Sequence, residues 1–376
     1  MRVAFLRVLT EENWVSMKVY ADRLEEGLKR LGTGIEIVPV PVRAWDWQDK
    51  RLPMPYGRPA SLQTLGLYLS RWIRYPLALR RVKADVYHIL DNSYGHLAFF
   101  LPRHKTVVTS HGGTPRSWRK WNPEGPAMWL FDMAFRGTQR AGRIIIVSDY
   151  ARQEFLQEAP RYPAGNISVV HHGVEPVFGL VPAGTRQAIR AQLLQPGEEA
   201  LLLHVGHSAG RKNVELLYRA LAILRQEGRR IRLVRIGRGP SESQSQLIAQ
   251  LALEANISHL PGRPNHELPA YYAAADLFLF PSLYEGFGIP LIEAMACGTP
   301  VVCSDSPLFR EVCGPAASYI DPSRPEHIAQ TIAQLLANPT QRHFLSQQGL
   351  SRATQFTWEN SARQTLAVYE QLLTGV

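Results

Sequence analysis

Cysteine is scarce in this chain of 376 residues. There are three, Cys297, Cys303 and Cys313, all in the last third and without a Cys-x-x-Cys spacing. That odd, unpatterned set argues against a disulfide framework or a structural zinc and for a reducing compartment. No stretch of about 18 uncharged apolar residues occurs, which argues against a spanning helix. The start, Met1 to Arg7, is apolar for only a few residues before a second arginine, so it is expected to be a first strand and not a signal peptide. Solenoid-period repeats, low-complexity segments and converging zinc-type histidine spacings are missing as well. What is present is an ordinary globular composition, 45% hydrophobic and 20% charged, at a length that suits two domains.

Charge is abundant but uneven. The net charge is +10; residues 1–180 hold 25 Lys and Arg against 16 Asp and Glu, and the remainder holds 17 against 16. A basic front half meets something anionic: nucleic acid, a membrane surface or a phosphorylated substrate. Charge alone does not choose among them, though no recognised nucleic-acid motif is present.

Strand-like and helix-like stretches alternate along the whole chain, which predicts an α/β protein with doubly wound parallel sheets. In the front half the strands are expected at Arg2–Val8, Ile35–Val40, Asp85–Leu90, Lys105–Ser110, Arg143–Val147 and Ile167–Val170, with a helix from about Val15 to Leu31. Residues 41–60, rich in Pro, Trp and charge, read as a long functional loop. Ser61 could cap a following helix with Leu62, Leu65, Leu69 and Ile73 on one face. Its Arg71, Arg74, Arg80, Arg81 and Lys83, interleaved with Trp72, Tyr75 and Leu77, read either as a solvated basic face or as a surface for anionic lipid headgroups. A second basic and aromatic cluster, Arg116 to Trp121 with Met128 to Phe131, suits a pyrophosphate-linked lipid, a charged saccharide or merely a solvated loop. His111 lies just past the fourth strand, where ligands of open parallel sheets sit. His88, His96, His171 and His172 read as structural or loop-forming.

The pattern loosens between Pro176 and Gly197, which places a domain boundary at residue 180. The second domain spans 181–356, and a last helix, 357–376, follows. In the second half, strands are expected at Leu201–Val205, Arg232–Ile236, Ile257–Leu260, Asp276–Phe280, Val301–Cys303 and Ala317–Ile320. A helix from Asn213 to Arg225 would bury Val214, Leu217, Leu221 and Leu224.

The most informative stretch is Pro281-Ser-Leu-Tyr-Glu-Gly-Phe-Gly-Ile-Pro-Leu-Ile-Glu-Ala-Met-Ala-Cys-Gly-Thr-Pro300. It reads as strand, glycine turn and helix N-terminus, with Glu285 before the turn and Glu293 inside the first helical turn. Free backbone N–H groups there would face an anion such as phosphate. A carboxylate beside a phosphate site makes sense if the ligand also carries hydroxyls, which carboxylates accept well. Phosphate plus hydroxyls describes a sugar nucleotide.

That run resembles the donor-site signature of the retaining GT-B glycosyltransferases of group 1 (family 4). The likeness extends to Val205-Gly206 with Arg211-Lys212-Asn213, to Gly262-Arg263, and to Phe356-Thr-Trp358; before these it covers Asp85–Asp91, Ser93–His96, His111 and Gly173-Val174. The resemblance implies two Rossmann-like domains facing across a cleft, the acceptor in front, the donor behind, and the C-terminal helix crossing back to the first domain. It implies that Glu293 accepts bonds from the nucleotide ribose and that Glu285 contacts hydroxyls of the transferred sugar. Gly206, Arg263 and the turn Gly286, Phe287, Gly288, Ile289, Pro290 and Leu291 would line the donor, with backbone N–H groups from Phe287 to Leu291 receiving its oxygens. Arg211 and Lys212 would cap the diphosphate, and His111 would lie near the donor sugar as a catalytic residue with Glu285.

The reaction so implied is retaining transfer of a mannosyl- or glucosyl-type hexose from a GDP- or UDP-sugar. The acceptor would be a glycan or lipid-linked saccharide of envelope or extracellular polysaccharide. No Asp-x-Asp metal clamp is present, so neither metal nor cofactor is expected. A cytoplasmic protein peripheral to the membrane is the expected setting. The segment after the first strand, Thr10 to Ser16, lacks the family's glycines and points to bulkier contacts from Trp14. The alternatives are a nucleotide-sugar 2-epimerase, for which no acid/base set can be assembled, and a non-catalytic sugar-nucleotide-binding protein, against which the complete set Glu285, Glu293, Arg211 and Lys212 argues.

Overall fold

The structure, a computed structural model, describes residues 1–12, 14–40, 42, 51–53, 59–121, 128–207 and 209–375. The chain divides into two compact units, Met1–His172 with Trp358–Val376, and Gly173–Thr357. Residues 173–180, assigned by pattern to the first domain, go with the second. Val174 bridges to Thr357, its N–H bonds the Phe356 carbonyl at 2.9 Å, and the Phe178 ring meets Tyr272.

Each unit is built on a six-stranded parallel sheet. The first holds β1 (Arg2–Leu6), β2 (Glu36–Val38), β3 (Val86–Ile89), β4 (Thr106–Ser110), β5 (Arg143–Ile146) and β6 (Ile167–Val169), in the order β2-β1-β3-β4-β5-β6. The second holds β7 (Ala200–Val205), β8 (Ile231–Ile236), β9 (Ile257–Leu260), β10 (Leu277–Phe280), β11 (Val301–Ser304) and β12 (Ala317–Ile320), in the order β9-β8-β7-β10-β11-β12. Helices cover both faces, so the central strands are buried throughout, as Leu277 to Phe280 are, and carry unbroken apolar runs. Both architectures match the two-domain α/β expectation.

Helix α1 (Val15–Arg30) packs against the last helix, α2 (Trp358–Thr374), within the first unit. A buried polar chain fastens them to the sheet. Tyr20 Oη meets Thr109 Oγ1 at 3.1 Å, Thr109 Oγ1 meets His88 Nε2 at 2.7 Å, and His88 Nδ1 meets Tyr369 Oη at 2.6 Å. Buried polar atoms are costly unless paired, so this chain specifies where α2 docks. Burial pushes His88 down to about 3, which leaves it neutral and structural.

The expected loop at 41–60 lies largely outside the described residues, but two short antiparallel strands, Arg51–Pro53 and Pro59–Ser61, stand within and just beyond it. Ser61 ends the second of these, and helix Leu62–Leu69 runs through a π-helical turn at Ser70–Arg74 into Tyr75–Leu79. That wide turn re-aims its residues, so Arg71 leaves the solvated basic face predicted for it. Its guanidinium bonds the Ser93 carbonyl, pairs with Glu12 at 3.2 Å and lies over the Tyr94 ring. Trp72 stacks on His96, while Ile73 and Leu77 are exposed. In the other basic cluster, Trp118 stacks on Phe131 and Arg119 pairs with Asp132; Trp121 has no described side chain.

Candidate functional site

In the second unit the strand order reverses between β7 and β10, and the loops leaving such neighbours diverge and open a crevice at their carboxyl ends. Gly206, Arg211, Lys212 and the run Glu285 to Gly288 sit on those two loops. Beyond β7, a short turn Gly210–Lys212 leads through Asn213, held at a left-handed φ of 52°, into helix α3 (Val214–Gln226). Asn213 Nδ2 donates to the Pro322 carbonyl, which holds that turn in place. Beyond β10, Leu283 donates its N–H to the Arg211 carbonyl at 2.8 Å, tying the two loops together.

The side chains complete the junction. Glu285 accepts from Arg211 Nη1 at 2.8 Å through one oxygen and from Lys212 Nζ at 2.5 Å through the other. Arg211 also donates to the Tyr284 carbonyl, and the Lys212 ammonium lies over the Phe280 ring. Glu285 and Lys212 each keep only 10% of their side-chain surface exposed. Burial alone would raise the Glu285 carboxyl, but the charges and hydrogen bonds of Lys212 and Arg211 outweigh it and hold it below the usual range. The group is therefore ionised at neutral pH, and Arg211, Lys212 and Glu285, separated in the sequence reading into diphosphate and sugar contacts, form one ionic cluster.

Backbone shape supports the same crevice. Gly237 ends β8 at a φ of 139°, and a Cβ there would lie 2.3 Å from the Gly206 carbonyl oxygen. Only glycine permits this approach of the β7 and β8 ends. Gly237 is thus explained by the close approach of the two strand ends. Gly288, at a φ of 101°, is the N-cap of helix α4 (Ile289–Ala296). The anion-facing donors expected from Phe287 to Leu291 are fewer than that: Pro290 has no N–H, and Leu291 gives its own to the Gly288 carbonyl. The Phe287 side chain is core, edge-on to Phe356, while Gly286, Ile289 and Pro290 remain partly exposed around the turn.

Glu293, on the first turns of α4, is partly buried and accepts from Tyr272 Oη at 2.8 Å. Burial raises its carboxyl to about 7; the Tyr272 bond pulls the other way and the Glu175 charge adds to the rise. Glu175 in turn accepts from Asn265 at 2.7 Å. Neither Tyr272 nor Glu175 was singled out from sequence, although Glu175 directly follows the Gly173-Val174 pair that was. Arg263, past β9, pairs locally with Glu267 at 3.7 Å and faces the Tyr271 ring.

In the first unit His111 follows β4. Its Nε2 meets the Leu90 carbonyl at 2.8 Å, its Nδ1 meets His172 Nε2 at 3.2 Å, and its backbone N–H reaches Asn92 Oδ1 at 3.3 Å. Burial lowers His111, with the Asp91 charge and the Leu90 carbonyl opposing. His96 is structural, as read, and so is His88. His172 is not merely loop-forming: it is a direct partner of His111, a contact that only the fold could reveal. Among the described residues no three His, Cys, Asp or Glu side chains converge as a metal site would require, and no helix is long and apolar enough to cross a membrane.

Comparison with known proteins gives a consistent picture. The profile of glycosyl transferases group 1 matches residues 185–352, and that of glycosyltransferase family 4 matches residues 17–178. An O-antigen chain mannosyltransferase B of Escherichia coli is 32% identical over 305 residues, covering 80% of this chain and 77% of its own. An MMP alpha-(1->4)-mannosyltransferase of Mycolicibacterium hassiacum is 27% identical over 100% of this chain and 99% of its own. Among solved structures, sucrose-phosphate synthase of Thermosynechococcus elongatus superposes with a TM-score of 0.74 at 20% identity, over all of both chains. Anabaena HepE in complex with UDP does so with a TM-score of 0.72 at 16% identity, over 99% of this chain and 100% of its own.

Proposed function

The chain belongs to the group 1 glycosyltransferases of family 4, and from that premise we propose that it moves a hexosyl residue, mannosyl in the first instance, from a nucleoside diphosphate sugar to a saccharide acceptor with retention of configuration. The observation that carries this reading is the Arg211–Glu285–Lys212 cluster at the β7/β10 crevice. Two cations held by one buried carboxylate leave one positive charge in excess, in a site whose charges are already arranged and can be redistributed when a ligand arrives. A diphosphate draws Arg211 and Lys212 to its oxygens and compensates the charge that grows on the leaving group. Glu285, relieved of one or both partners, accepts hydroxyls of the sugar. Glu293 accepts hydroxyls of the ribose, for which its ionised form is the better acceptor.

In the proposed step the bond from the anomeric carbon to the diphosphate oxygen breaks. The acceptor oxygen bonds that carbon on the same face, and its proton passes to the departing phosphate. No protein nucleophile is needed, and the positive charge that a metal would bring comes from Arg211 and Lys212. The mannosyl preference rests on the two mannosyltransferase relatives, and a glycan or lipid-linked saccharide as acceptor rests on the O-antigen relative. Thermal shift with GDP, UDP and ADP, then with their sugars, tests it. A rise with one diphosphate and a larger one with its sugar is expected; no shift with any of them would remove the donor assignment.

The basic first unit is proposed to lie against an anionic lipid surface. Ile73 and Leu77 are exposed at 48% and 51% on the same segment as Arg74, with Arg80, Arg81 and Lys83 just beyond.

A further inference from the structure

His111 and His172 follow β4 and β6, the two strands that flank β5, and their rings are parallel within 3° with centres 5.1 Å apart. The hydrogen positions follow from the partners. The Leu90 carbonyl can only accept, so His111 Nε2 carries the hydrogen. A neutral imidazole has a single N–H, which leaves Nδ1 of His111 as a lone pair. His172 Nε2, 3.2 Å away, must then be the donor. One arrangement thus settles the tautomers of both rings.

The rings are also held against rotation. Tyr20 stands edge-on to both, with centres 4.6 Å from His111 and 5.3 Å from His172, and Trp358 lies 6.1 Å from His172. Tyr20 is itself held by Thr109. His172 is 5% exposed. Burial and the neighbouring His111 and His171 depress its own protonation, so it stays a neutral donor. The other charged or titratable groups that act on the pair are Asp91, which favours a charged His111, and neutral His88 on β3.

We propose that His172 is a positioning residue for the transfer reaction, which keeps His111 in the Nε2–H tautomer and unavailable as a proton acceptor. This deepens the reading of His111 as a site residue and rests on it. With both ring nitrogens committed to protein partners, His111 presents a fixed ring and its backbone, not a base. That leaves the acceptor proton to the departing phosphate.

The ring nitrogens can be observed directly, without any turnover. In 15N spectra of the labelled full-length protein, with a His111→Ala sample for assignment, His111 should show a protonated Nε2 and a bare, hydrogen-bonded Nδ1 from pH 6 to 8. His172→Phe keeps a flat ring but removes the donor, so His111 should become protonatable in that range, a new limb should enter the kcat–pH profile, and kcat should fall about ten-fold with KM for the donor little changed. His172→Gln, whose side-chain amide can supply an N–H near the same place, should recover most of kcat and lose the new limb. A His111 that is Nδ1–H or doubly protonated at pH 7 in the wild-type protein overturns the proposal. So does a folded His172→Phe protein with the wild-type kcat and pH profile. Donor binding by the wild-type chain tests the glycosyl-transfer reading separately, since the nitrogen spectrum does not depend on it.

Discussion

The ammonium of Lys212 and the carboxylate of Glu285 meet at 2.5 Å with nine-tenths of each side chain buried, joining the loop after β7 to the loop after β10. Removing one member of such a pair leaves the other charge without compensation, at a cost of about 3 kcal/mol or more. Glu285→Gln should therefore lower the unfolding free energy by about 3 kcal/mol in urea titrations. Glu285→Ala should abolish transfer while donor binding survives in weakened form. Full activity in that variant would falsify the assignment of Glu285 to the reacting sugar.

On the proposed reading, Glu293 links donor binding to pH. Its folded value of about 7 lies above the ordinary 4.5. At this group the folded state thus binds more protons than the unfolded state between those values. Opposite in slope to that of the buried neutral histidines His88, His111 and His172, the Glu293 contribution to stability therefore falls as pH rises from about 4.5 to about 7 and levels off above. Glu293→Gln should remove that slope. If the ribose bonds to the carboxylate form, the donor binds more tightly as pH rises through 7 in the wild-type protein, and its affinity is weaker and flat in the variant. Calorimetric titration of the nucleoside diphosphate at several pH values measures both.

Tyr272 supplies a second handle on the same group. Its hydroxyl bond lowers the Glu293 value, so Tyr272→Phe should move the midpoint of the pH-dependent binding upward. An unchanged midpoint would mean that the carboxylate does not titrate on donor binding.

At Gly237 an added methyl would lie 2.3 Å from the Gly206 oxygen, in a left-handed conformation that side chains resist. Gly237→Ala should destabilise the second unit by about 2 kcal/mol or more, and nucleotide affinity should drop with it. Gly239→Ala, with nothing near its Cβ position, serves as the control in the same unfolding experiment.

The lipid proposal predicts that the protein floats with vesicles containing anionic lipid, less so as salt is raised, and not with neutral vesicles. Ile73→Glu combined with Leu77→Glu should cut that binding several-fold without lowering thermal stability, because both side chains are about half exposed. Equal flotation with neutral and anionic vesicles would remove the idea.

Much of the second unit's crevice was legible because its residues are compressed into local spacing. Glu285, Gly288 and Glu293 lie within nine residues, and a strand, a turn with glycine and a helix start can each be read from residue types. The basic face at 71–83 was read less well. Helical spacing assigns Arg71 to the solvated side, but the π-helical turn at Ser70–Arg74 rotates it onto Glu12 and Tyr94, and no local pattern announces that turn. Likewise, the donor count at the α4 N-terminus was overstated, because the Leu291 N–H closes on Gly288 as soon as the turn forms.

By itself the sequence determined the alternation of strands and helices, the two-domain α/β class and the identity of the carboxylates and cations on the loops after β7 and β10. Those properties depend on periodicity, glycine and proline placement, and side-chain chemistry, all of which are local. Only the tertiary structure decided that Glu285 is shared between Arg211 and Lys212, that burial raises Glu293 with Tyr272 opposing and Glu175 adding to the rise, and that His172 faces His111. Each of these contacts joins residues on different loops or helices, brought together by the order of strands in a sheet. Strand order is a global property that no single stretch of chain encodes.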